Sequence, residues 1–92
     1  MRALGAEVVS TRSDVIKGHP AYYLDMAEAI AKKLPNAWFA NQSANPANAR
    51  AHELTTGPEI LKQMRDKVDA VVVGVGSGGT LGGLTRAFHE SM

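Results

Sequence analysis

The sequence has no cysteine, which excludes disulfides, thiolate metal sites and a cysteine nucleophile together. It has no long hydrophobic run either. The longest, Ala70 to Val73 continued through Val75, falls far short of the roughly 20 apolar residues that a membrane helix requires. The opening residues, Met1-Arg2-Ala3-Leu4-Gly5-Ala6-Glu7, contain no apolar stretch of the kind found in a secretory leader. Neither sign of charge dominates. Ten lysines and arginines stand against nine aspartates and glutamates, a formal net charge of +1, so no summed field draws the chain to nucleic acid or to an anionic membrane. A cytoplasmic location is expected, with no nucleic-acid or membrane partner, and any anion site has to be local. What is present is ordinary globular composition, 45% hydrophobic and 21% charged, in a length of 92 residues that allows at most one domain.

Periodicity predicts three strands alternating with three helices. Glu7-Val8-Val9-Ser10-Thr11, Ala37-Trp38-Phe39-Ala40 and Asp69-Ala70-Val71-Val72-Val73-Gly74 are short and rich in β-branched or aromatic residues. The last lacks polar alternation, the pattern of a central strand covered on both faces. Between them, Tyr23, Ala27, Ile30, Ala31 and Leu34 recur at helical spacing over residues 21–34, stopped by Pro35. Thr56-Gly57-Pro58-Glu59 resembles a capping box opening a helix that runs through Met64. Leu81, Leu84, Ala87 and Phe88 mark one face of a closing helix, in which Gly82 and Gly83 lower the propensity. The expected fold is α/β: a parallel three-stranded sheet with flanking helices. Tyr22, Tyr23, Trp38 and Phe39 are expected to pack into the core rather than to stack on a ligand.

Gly74-Val75-Gly76-Ser77-Gly78-Gly79-Thr80 lies between the most apolar run and the closing helix. There, backbone N–H groups and the helix dipole favour an anion, glycines permit close approach, and Ser77 and Thr80 offer hydroxyls. Residues 74–79 also fit the G-x-G-x-x-G dinucleotide fingerprint, and residues 74–80 partly fit a P-loop. A P-loop needs a lysine before its hydroxyl residue, but Thr80 follows Gly79 directly. The dinucleotide site needs an acidic residue roughly 20 positions further on, and only thirteen residues follow Gly79. A small phosphate monoester needs only the loop, and the plain alternative is a glycine-rich turn with no ligand. Gln42 follows the run Ala37–Ala40, a position that faces the ligand crevice in open α/β sheets. Asn45-Pro46-Ala47-Asn48 reads as a turn. His52-Glu53 has no second histidine at metal-binding spacing, so no metal site is expected.

Taken in order, Arg2-Ala3-Leu4-Gly5-Ala6-Glu7-Val8-Val9, Asn45-Pro46-Ala47-Asn48, His52, Thr55-Thr56-Gly57-Pro58-Glu59-Ile60 and Gly76-Ser77-Gly78-Gly79-Thr80 resemble the fold-type II, or β-family, of pyridoxal-phosphate (PLP) enzymes, in the branch of cystathionine β-synthase and cysteine synthase. The resemblance spans nearly the whole chain and implies a single fragment, residues 1–92, of a catalytic domain, with room for parts of two subdomains of the parent. It implies that Gly76, Ser77, Gly78, Gly79 and Thr80 hold the phosphate of pyridoxal 5'-phosphate and that Gln42 binds the carboxylate of an amino-acid substrate. It further implies β-replacement in sulfur amino-acid metabolism, by a parent that is a lyase or transferase and a homodimer. The products are cystathionine, from serine and homocysteine, or cysteine, from activated serine and sulfide. Ala49-Arg50 departs from the proline often found after Asn-Pro-Ala-Asn.

The family's Schiff-base lysine motif, its Ser/Thr-Gly-Asn substrate loop and its later serine or threonine have no counterpart here. Lys17, Lys32, Lys33, Lys62 and Lys67 read as solvated surface charges, so no catalytic residue is assigned. The other class of reading is a non-catalytic module that binds a small phosphate or a partner. Cut from a sheet, the chain is also expected to self-associate. With added PLP, the 92-residue chain is expected to form no product from serine plus homocysteine or from O-acetylserine plus sulfide. Robust PLP-dependent turnover in either assay would overturn this expectation.

Overall fold

In the computed structural model, which describes residues 1–91, the chain divides into two compact units, Met1–Ala40 and Asn41 onward. No strand occurs among the described residues. This corrects the expected parallel three-stranded sheet: the runs 7–11, 37–40 and 69–74 all lie outside regular structure. An apolar β-branched run favours extended backbone, but a strand exists only when a neighbour completes its hydrogen-bond ladder and its cross-strand pairs. Val72, placed at the centre of the sheet by its sequence context, is 101% exposed. Trp38, expected in the core, is 78% exposed.

The first unit holds one α-helix, α1, Tyr23–Lys33, close to the expected 21–34. Its approach is a hydrogen-bonded loop. The Gly18 N–H donates to Asp25 Oδ2 at 3.2 Å, the Ala21 N–H to His19 Nδ1 at 3.0 Å, and the Tyr22 N–H to the His19 carbonyl at 2.9 Å. Asp25 sits in the first turn and Lys32 and Lys33 in the last, each complementing the helix dipole. Glu28 and Lys32 pair at 3.4 Å on the exposed face, a contact of only about 0.3–0.5 kcal/mol. Arg12 grips Asp14 with two hydrogen bonds, 2.9 and 2.6 Å, and holds its carboxyl below the usual carboxylate range. No described residue of this unit is fully buried.

The second unit is built on one long helical run crossed by another helix. The run consists of α2, Ala47–Ala51, a π-helical turn, His52–Thr56, and α3, Gly57–Gln63. The expected capping box does not form. Thr56 caps nothing, because the helical run has already started at Ala47, and the Thr56 hydroxyl instead bonds His52 Nδ1 at 2.8 Å. Pro58 accounts for the irregularity. It has no N–H for the carbonyl of Leu54 and its ring crowds that carbonyl. The widened π turn just before it, closed by the Gly57 N–H on the His52 carbonyl, relieves that conflict without ending the helix. Met64 and the left-handed residues Arg65 and Asp66 then reverse the chain, with the Asp66 N–H on the Leu61 carbonyl at 2.8 Å.

The crossing helix is α4, Gly79–Ser91. It packs on α2, the π turn and α3, and the buried side chains Leu61, Leu84 and Ala87 lie along this contact. The glycines that weaken α4 on propensity make the contact possible. A Cβ at Gly83 would fall on the Ala49 carbonyl, 2.5 Å from His52 Cβ and 2.9 Å from the Glu53 nitrogen. Two of these three are backbone atoms that cannot swing aside. Beside the crossing, the 9%-exposed carboxylate of Glu53 takes Arg50 at 3.0 Å and Arg86 of α4 at 3.9 Å.

Neighbouring glycines in α4 are therefore expected to respond with opposite sign. At Gly82 the nearest atom to a new Cβ is Ala49 Cβ at an ordinary 3.7 Å, so Gly82→Ala should stabilise by about 0.5–1 kcal/mol through helix propensity. Gly83→Ala should destabilise by on the order of 1–3 kcal/mol through overpacking. Thermal unfolding followed by far-UV circular dichroism checks the pair, and an equal upward shift for both variants contradicts the close crossing.

Candidate functional site

The loop before α4 is shaped by Gly78, whose φ of 82° lies in the left-handed region, where a side chain is strained and glycine is not. That kink delivers the chain into the first turn of α4, whose N–H groups have no carbonyl within the helix to bond. The first closing bond runs from the Gly82 N–H to the Gly78 carbonyl at 2.9 Å. A Cβ added at Gly76 or Gly78 would meet nothing within 4 Å, whereas one at Gly79 would collide with the side chain of Asn48. Glycine at 79 is thus a packing requirement. At 76 and 78 it leaves the backbone open.

Opposite the loop, the chain turns at Asn41 (φ 48°), whose carbonyl accepts from the Ala44 and Asn45 N–H groups at 3.0 and 2.9 Å. Asn45 Oδ1 accepts from the Ala47 N–H at 3.0 Å as α2 begins. The sequence Asn45–Asn48 is therefore half turn and half helix. Asn48, on the first turn of α2, donates from Nδ2 to the Gln42 carbonyl at 3.0 Å and to Ser77 Oγ at 2.8 Å. Ser77 Oγ also receives the Gly79 N–H at 3.4 Å.

Turn, helix start and loop enclose a cavity of about 180 Å³ lined by Gln42, Asn45, Asn48, Ser77, Gly78 and Gly79, among others. None of the lining side chains carries a charge. An anion here would meet amide and hydroxyl donors at a helix N-terminus with no carboxylate to repel it. The volume lies below the roughly 300–1,000 Å³ of drug-sized pockets and suits a small polar group.

Of the six residues singled out by sequence, Gln42, Ser77, Gly78 and Gly79 share this cavity, while Gly76 and Thr80 lie outside its lining. The Thr80 hydroxyl is directed to His52, 3.4 Å from Nε2, so the loop is tied through the His52 ring to Thr56 in the π turn. Sequence reasoning passed over Asn48 and His52 in these positions. Asn48 stood out as a turn residue and as part of the family signature but was given no site role, and no spacing rule places a side chain of one helix against a loop 29 residues later.

Comparison with known proteins covers the whole chain. The model of the family described as "Pyridoxal-phosphate dependent enzyme" matches residues 1–92. The chain is 49% identical over 90 residues to cysteine synthase 3 of Caenorhabditis elegans, covering 98% of this chain and 26% of that protein. It is 40% identical over 91 residues to a cysteine synthase of a Flavobacterium, covering 98% and 28%. It is 36% identical over 88 residues to cystathionine beta-synthase of Apis mellifera, covering 96% and 18%. The chain thus spans less than a third of the length of these relatives.

Gly79→Ala tests the geometry. The new methyl group should push the Asn48 side chain off both acceptors, at a cost of about 0.5–1.5 kcal/mol for each net hydrogen bond lost. Side-chain amide exchange of Asn48, read by NMR, should quicken while the helical signal persists. Unchanged exchange in a folded variant would contradict the contact.

Proposed function

Since the chain belongs to the pyridoxal-phosphate dependent enzyme family, we propose that it supplies the phosphate cradle of a β-replacement enzyme of sulfur amino-acid metabolism. The reading covers the cystathionine β-synthase and cysteine synthase reactions alike, since relatives of both names match. Residues Gly76 to Thr80 hold the cofactor's phosphate, and Gln42 contacts the carboxylate of the amino-acid substrate. The parent is a cytoplasmic homodimer. No helix among the described residues is long and apolar enough to cross a membrane.

The observation that carries this reading is the uncharged cavity at the N-terminus of α4, with left-handed Gly78 and Gln42 both in its lining. A phosphate fits such a donor set, since its charge is met by N–H groups and the Ser77 hydroxyl without competition from a lining carboxylate. When bound, pyridoxal phosphate supplies the electron sink for carbanion chemistry. The residues of this chain bind and orient. None of the five lysines lines the cavity, and all five are exposed, which supports a covalent link made by residues outside these 92. The same observation favours the non-catalytic phosphate-binding reading for the 92 residues taken alone.

Titration with inorganic phosphate and with pyridoxal phosphate, followed by amide NMR, distinguishes the loop from the rest of the chain. Shifts should concentrate between Ser77 and Leu81 in the parent chain. Gly78→Val puts a β-branched side chain at positive φ, a strain of about 1–3 kcal/mol, and should weaken binding, while Lys62→Ala on the exposed face of α3 should not. Equal binding by folded Gly78→Val rejects the loop as the phosphate site.

A further inference from the structure

We propose that Asn48 is a positioning residue that turns the Ser77 hydroxyl into an obligate donor toward the anion and binds the phosphate loop and the Gln42 turn into one unit. The inference rests on the reading of residues 76–80 as a phosphate cradle.

The orientation of the Asn48 amide is settled by its partners. The Gln42 carbonyl, 3.0 Å from Nδ2, can only accept, so nitrogen and not oxygen must face it. The same nitrogen then donates to Ser77 Oγ at 2.8 Å, which fixes the hydroxyl as the acceptor in that bond as well. A serine hydroxyl has two lone pairs and one proton. The Asn48 amide takes one lone pair and the Gly79 N–H, at 3.4 Å, approaches the other. Only the proton is left, and Ser77 lines the cavity. While Asn48 is in place, Ser77 has nothing to offer the cavity except a donor. That polarity suits an anion and opposes a cation or a ligand group that can only donate.

The second half of the inference concerns coupling. One NH2 group spans the backbone of Gln42 and the side chain of Ser77, and the side chain of Asn48 fills the space that a Cβ at Gly79 would need. A ligand that tightens Ser77 therefore acts on the turn carrying Gln42 through a single amide. Phosphate occupancy and the placement of the Gln42 side chain become linked, as any two events that bias one element must be.

The test uses inorganic phosphate as the probe and a double-mutant cycle on the full chain, with Asn48→Ala, Ser77→Ala and the double variant, read by calorimetry and amide NMR. Ser77→Ala should weaken phosphate binding about tenfold, the scale of one charge-assisted hydrogen bond. Asn48→Ala should weaken it comparably, and the double variant should bind no more weakly than Ser77→Ala alone, because Asn48 acts through Ser77. Should Asn48→Ala fail to fold, the parent chain and Ser77→Ala suffice. In the parent, the Asn48 side-chain amide and the Ser43 backbone amide should shift with the same isotherm as Ser77 and Gly79, and in Ser77→Ala the first two should stay still. Additive losses in the double variant, or an Asn48 amide that does not move while the loop amides do, overturn the inference and leave the cradle standing. Absence of any phosphate-dependent shift at residues 77–81 in the parent overturns the cradle, and the inference with it.

Discussion

A side chain at position 83 would have to share space with the Ala49 carbonyl, His52 Cβ and the Glu53 nitrogen, and much of the second unit follows from glycine being there instead. It lets α4 lie directly on the junction of α2 and the π turn. Leu84 and Ala87, further along the same helix, then close on Gly57 and with Leu61 make the small buried core. The close crossing also fixes where α4 begins relative to α2, which sets Gly79 against Asn48 at one end of the interface. A propensity loss of about 1 kcal/mol per glycine is the cost of that approach. It is offset by packing that no residue with a Cβ could make.

The π turn is the second constraint, and it has a chemical consequence. By absorbing the conflict between Pro58 and the helix, it allows one helical run to continue from Ala47 to Gln63. His52, at its start, bonds Thr56 on one ring nitrogen and reaches Thr80 on the other. The hydroxyl of Thr80 is thus engaged with the π turn, and of the loop's two hydroxyls it is that of Ser77 that lines the cavity. Two hydroxyls that look equivalent in Ser77-Gly78-Gly79-Thr80 have different partners. On the proposed phosphate reading, the side-chain donors of the wall are the hydroxyls of Ser43 and Ser77 and the neutral amides of Gln42, Asn45 and Asn48.

How far the sequence could be read depended on the range of the interactions involved. The helices at 23–33 and 79–91 were legible because their signals are local: apolar spacing, a proline stop, a glycine loop before a helix; that at 57–63 was expected from a cap that does not form, and its true start at Ala47 was read as a turn. The place of the glycine loop before a helix was legible for the same reason, since a left-handed glycine and a helix start need no distant partner. The three strands were not, because strand formation is decided by a neighbour. The valines from 71 to 73 describe a preference for extended backbone and carry no information on whether anything pairs with it.

By itself, then, the sequence determined the family, through motifs in a fixed order from Arg2 to Thr80, together with the approximate places of α1 and α4. Only the tertiary structure decided that Gln42, Asn48 and Ser77 meet at one cavity, that Thr80 turns to His52, and that Gly79 and Gly83 are glycines for lack of space. The physical reason is the same in each case. Motif and periodicity record what a residue offers to its neighbours along the chain, whereas close approach between α4 and the helix beginning at Ala47 depends on atoms about 30 residues apart, and those are brought together only by packing.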